Sequence, residues 1–120
     1  MTKADLPDLR RLAANNQISY SGHAVDQMLD RDISQASVKD ILSSPTNQLI
    51  ETQSPSRTRG KEHDNERALI SDPLHTDAII VVVVILFDST PEIRVITVEP
   101  ALDTRWEKHV SDDPWLVRKT

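Results

Sequence analysis

The chain has 120 residues, 38% of them hydrophobic, and a formal net charge of −5. That length is enough for one domain with a real core, and two glycines against seven prolines exclude a low-complexity chain. The acidic balance weighs against a generic nucleic-acid binder, since phosphate contacts need basic residues, and the lack of cysteine excludes a disulfide framework and a thiolate zinc site.

The opening MTKADLPDLRR has none of the apolar core of a secretion signal, so the expected location is the cytoplasm, with no membrane contact. Ala4 to Ala14 reads as a short amphipathic helix with Leu6, Leu9 and Leu12 near one face and Pro7 tolerable in the first turn. Gln17 to Ser21 alternates and is expected as a short edge strand. Ser21 caps a helix from Gly22 to Arg31. Ala24, Val25, Met28 and Leu29 fall on its apolar face, and His23, Asp26, Gln27, Asp30 and Arg31 on its polar one. Ile33 and Val38 bracket Ser34, a second cap, and a third helix runs to Leu42, burying Val38, Ile41 and Leu42. With Pro45 stopping the third helix, the last two helices are expected to form an αα-hairpin with a shared apolar side.

Strands are expected at Asn47–Thr52 and Arg67–Ser71. Between them Gln53 to Asn65 holds no apolar residue and reads as a long exposed loop. Ala78 to Phe87, AIIVVVVILF, is the stretch that organises the chain. Ten apolar residues, mostly β-branched, make a strand that needs cover on both faces. The run is too short for a membrane helix, which takes roughly 20 apolar residues. Asp88 to Glu92 is a hairpin loop. Ile93 to Glu99 is the antiparallel neighbour, alternating Ile93, Val95 and Thr97 against Arg94, Ile96 and Val98. The spacing of Leu102, Trp106 and Val110 predicts a short tail helix laid on the sheet, with Trp115 and Leu116 beyond it. The whole reads as a single α+β domain: an antiparallel sheet of about four to five strands with an αα-hairpin packed on one face. The tail covers the other face or meets a partner.

Ile18 to Ile33, ISYSGHAVDQMLDRDI, resembles a bacterial family known as domain of unknown function 4258. The matching positions are His23-Ala24, Met28, Arg31 and Ile33-Ser34, then Thr97-Val98 at the end of the last strand. The resemblance spans about Ile18 to Glu99. It implies a fold similar to the RelE/ParE-like toxins, a group that includes ribonucleases neutralised by an antitoxin. Three departures stand out: Gln27 where the family has arginine before the methionine, a tryptophan-bearing tail, and the acidic charge.

His23 sits in a first helical turn, where free N–H groups favour an anion, and Arg31 lies two turns on with Gln27 between them. Metal-free RNA cleavage needs a base, an acid and a cation to steady the transition state. His23, Arg31, Thr97 and Glu99 are the candidate catalytic residues. Gln27, Arg57, Arg59, Lys61 and Arg67 are the candidate phosphate contacts, with His63 among them. A plainer reading has His23 fixing the helix through a carbonyl, Arg31 paired with Asp30 or Asp32, and a solvated loop whose bases interleave with Glu62, Asp64 and Glu66. Trp106 and Trp115 are candidates for partner contact or for closing the sheet in the same chain. No metal-ligand spacing, phosphate loop or nucleophile elbow occurs, so no metal or cofactor is expected. Two functions are therefore expected: a toxin-like, metal-independent ribonuclease held by an antitoxin-like protein, or a non-catalytic protein-binding module that keeps the fold. Self-association is a further expectation.

Overall fold

The structure, a computed structural model, describes residues 1–54, 66–87 and 89–120. A 3-10 turn (Lys3–Asp5) leads into α1 (Leu6–Ala14), β1 (Ile18–Tyr20), α2 (Gly22–Asp30) and α3 (Gln35–Ser43). There follow β2 (Gln48–Gln53), β3 (Arg67–Ser71), β4 (Ile79–Leu86), β5 (Glu92–Pro100) and two short strands, β6 (Trp106–Lys108) and β7 (Leu116–Arg118). The basic candidates Arg57, Arg59, Lys61 and His63 lie outside the described residues, as does most of the expected loop that carries them.

The main sheet has the order β1-β5-β4-β3-β2, which puts the apolar run in the middle. Its residues Ile79 to Val84 are all buried. Ile79, Val81 and Val83 point into the larger core, with Leu9, Val38, Ile41 and Leu42 of the helices. Ile80 and Val82 point the other way, into a smaller core closed by Leu69, Trp106, Trp115 and Leu116. The tail therefore covers the second face from within the same chain.

Both helix caps form as expected. Ser21 Oγ accepts from the Ala24 amide at 3.0 Å, and Ser34 Oγ accepts from the Ser37 amide at 3.1 Å. The ends of α1 and α2 share a second device. The Gln17 amide donates to Leu12 O and the Ile33 amide to Met28 O, each at 2.9 Å. Asn16 and Asp32 stand between, with φ of 59° and 53°. These are Schellman ends, and Asn and Asp are the side chains that best tolerate that left-handed position when glycine is absent.

Five expectations are corrected. The sheet is mixed, because β1 runs parallel to β5, Ile18 beside Ile93 and Tyr20 beside Val95. Parallel neighbours need a long crossover, and here everything from α2 to β4 lies between the two strands. The last two helices do not pair as an αα-hairpin. The left-handed Asp32 turns the chain so that α3 packs on α1 while α2 packs on β5. Because α2 sits at the sheet's edge, its buried stripe narrows to Ala24 and Met28, and Leu29 is 76% exposed. In β5 the register shifts by one residue opposite Val82 and Val83, so Ile96 is extra and Val98 joins Ile93 and Val95 in the larger core. Finally, the tail is a β-hairpin, not a helix. Leu102 and Val110 are exposed, and the buried tail residues are Ala101, Trp106, Trp115 and Leu116.

The turn after β3 carries a buried carboxylate. Asp72 accepts from Thr46 Oγ1 at 2.8 Å and from the Leu74 amide at 3.0 Å. Burial pushes this carboxyl up, but hydrogen bonds from Ser44, the Leu74 amide and Thr46, with His75 nearby, together hold it below the usual carboxylate range. A carboxyl lowered on folding contributes stability above its unfolded pKa of about 3.9, and that contribution fades as pH falls through the folded value. Asp72→Asn should therefore lower stability by about 1–2 kcal/mol at pH 7. In urea unfolding the gap from wild type should narrow from its pH 7 size as the solution is acidified below the usual carboxylate range. A gap that keeps its pH 7 size in acid would show that the charge is not what matters.

Candidate functional site

The polar stripe of α2 runs along the open edge of β5. β1 covers that edge only at Ile93 to Val95, so the peptide groups beyond it need other partners. α2 supplies them. Ser21 Oγ donates to Ile96 O at 3.0 Å. Gln27 Oε1 accepts from the Val98 amide at 2.8 Å, and Arg31 Nη1 donates to Val98 O at 2.7 Å. Gln27 and Arg31, four residues apart, are neighbours on one helix face, and between them they close both peptide groups of one strand residue. They act as a side-chain substitute for a strand.

This placement separates the candidate catalytic residues. His23 heads the same stripe, exposed in the first turn of α2. Eight residues separate it from Arg31, roughly 12 Å along the axis at 1.5 Å per residue. Thr97 and Glu99 flank Val98 but project to the opposite face of the sheet, across from Val82 and Ile80. Glu99 there lies near Arg118 of the tail, whose charge it helps to hold. Arg31 reaches the backbone of Val98 from one side, while Thr97 and Glu99 leave that strand on the other face. Arg67 is half-buried at the start of β3.

Past Arg31 a groove of about 450 Å³ opens between the α2–α3 turn, the ends of β4 and β5, and β6. Its charged lining is Arg31 and Lys108 against Asp32 and Asp77, and Lys108 is already paired with Asp103 at 2.8 Å. Balanced charge of this kind offers a phosphodiester little net field. Among the described residues no group of three His, Asp or Glu side chains is placed to hold a metal ion. No helix is long and apolar enough to cross a membrane among them either.

The profile of a family described as Domain of unknown function (DUF4258) matches residues 20–100. The chain belongs to this family. No curated protein and no solved structure matches it. The DUF4258 match takes in α2, α3 and β2 to β5, and the tryptophan hairpin lies beyond it. In this DUF4258 chain the hairpin is tied down by residues that sequence reasoning missed. Gln48 of β2 accepts from the Trp115 amide at 2.7 Å and donates to Asp112 O at 3.1 Å. Arg118 lies 4.5 Å over the Trp106 ring and pairs with Glu51 at 2.5 Å. Another missed residue is Asn47, buried after α3. It donates to Ile41 O and Leu42 O, both at 2.9 Å, and accepts from Arg10 of α1 at 2.8 Å. Each of these partners is a backbone atom or a residue remote in sequence, so nothing local marks it. Trp106 and Trp115 are 3% and 4% exposed, which places both indoles inside the chain's own second core.

Proposed function

We propose that this DUF4258 protein is a non-catalytic protein-binding module built on a scaffold similar to the RelE/ParE-like toxins. The observation that carries the reading is the use of Gln27 and Arg31. Both side chains bond the peptide groups of Val98, which ties the Arg31 guanidinium to the strand edge, roughly 12 Å along the helix from His23, where it does not steady a phosphorane-like transition state at that histidine. The charge of −5 points the same way, because a ribosome or RNA substrate is a polyanion.

A toxin-like, metal-independent ribonuclease held by an antitoxin-like partner is the second reading. Exposed His23, at the positive end of α2, is what favours it. One experiment separates them. Induced alone in a bacterial host, the protein should leave growth unchanged, and the purified chain should leave total RNA intact in the presence of EDTA. Growth arrest that His23→Ala relieves, with the variant still folded, would reject the binding-module reading.

A further inference from the structure

The free edge of β1 offers the most specific surface on the molecule. β1 is the last strand of the sheet, and its parallel ladder to β5 uses alternate residues. The Ile93 amide donates to Gln17 O at 2.8 Å and the Ser21 amide donates to Val95 O at 2.9 Å. Gln17, Ser19 and Ser21 thus turn their peptide groups toward β5. The N–H and C=O of Ile18 and Tyr20 point outward, and no backbone bond among the described residues occupies them.

Beside that edge lies a groove of about 310 Å³, lined by Asn16, Ile18, Tyr20, Gln35, Ala36 and Lys39. β1 forms one wall and the first turns of α3 the other. Lys39 is the single charged group in the lining. Among the described residues no carboxylate pairs with its ammonium. No hydrogen bond there engages the Tyr20 hydroxyl or the side-chain amides of Asn16 and Gln35. Two other grooves among the described residues differ, since Asp5, Asp8 and Glu66 line one and Asp32 and Asp77 the other. Open strand groups and an unpaired cation with neutral donors therefore meet at one place.

Resting on the binding-module reading, we infer that this edge takes an extended segment of a partner protein as a sixth strand, with a carboxylate side chain of that segment entering the groove against Lys39. The outward groups of Ile18 and Tyr20 supply the ladder. Side chains of an added strand alternate between the two faces, so every second one falls on the helical side, where the groove is. The donors there select an acceptor, and Lys39 selects a negative one. A second copy is the poorer occupant, because β1 reads Ile-Ser-Tyr and brings no carboxylate.

The test uses the whole protein, immobilised, to select from a displayed library of random 12-residue peptides. The enriched peptides should alternate β-branched residues and carry an Asp or Glu at a fixed place. By fluorescence anisotropy, Lys39→Glu should weaken them about tenfold or more, while Lys39→Arg should not. N-methylation of alternate peptide amides should abolish binding in one register and spare it in the other. In amide exchange, Ile18 and Tyr20 should be fast in the free protein and protected in the complex. Peptides that bind without an acid, or that leave those two amides unprotected, would overturn this surface while the binding-module reading stands. Failure to enrich any peptide would overturn it as well. So would protection of Ile18 and Tyr20 that grows with protein concentration alone, since that identifies a second copy. The growth and RNA assays report on the underlying reading separately.

Discussion

Trp106→Ala should cost about 3–5 kcal/mol of stability, the usual loss when a buried indole becomes a cavity. The ring closes the smaller core against Ile80, Val82 and Leu69, and Arg118 lies across it. Removing it uncovers one face of the central strand and frees the ion pair that holds the hairpin to β2. Trp115→Ala should behave alike, because its indole belongs to the same cluster and its amide is held by Gln48. Leu102→Ala and Val110→Ala are the controls. Both residues are exposed, so each change should stay within about 0.5 kcal/mol. Urea unfolding of the four variants checks the account. A Trp106 variant as stable as wild type, whatever its oligomeric state, would mean the tail does not close this sheet.

Gln27→Leu and Arg31→Met are the second pair of expected effects. Each replacement keeps much of the side chain's length and packing but strands one peptide group of Val98. An unmade bond at a partly buried edge costs about 1–2 kcal/mol. The double variant should lose less than the sum, since one loosened helix face serves both bonds. His23→Ala, an exposed change with no such partner, should leave stability within about 0.5 kcal/mol.

The central strand was legible in the sequence because ten apolar residues in a row admit few environments. Position, flanking order and the need for cover on both faces all followed from that run. Ser21 and Ser34 were legible as caps for a similar reason, since the bond each makes is local. What stayed hidden depended on distant partners. The direction of β1 is set by β5, far along the chain, and nothing in Ile18 to Tyr20 encodes it. The extra residue at Ile96 reverses the alternation that period-two counting gives for Val98. The tail misled because Leu102, Trp106 and Val110 fit a helical period by spacing alone. Only Trp106 of the three is buried, and its true companions are Trp115 and Leu116 across the hairpin.

The candidate site was half legible. His23, Gln27 and Arg31 do share a stripe of α2, as the helical period requires. Their targets were not readable, since Gln27 and Arg31 bond to backbone atoms that every residue possesses. A polar side chain that serves a strand edge and one that serves a substrate look the same in sequence. Thr97 and Glu99 share a face as expected, but it is the face away from α2.

Amide hydrogen exchange at Val98 tests the account most directly. If α2 serves as a stand-in strand, this amide exchanges slowly in the wild type and at least about tenfold faster in Gln27→Leu, with Ile93 and Val95 unchanged. A Val98 amide that exchanges equally fast in both proteins would mean that Gln27 is not held there, and the polar stripe of α2 would again be available for chemistry.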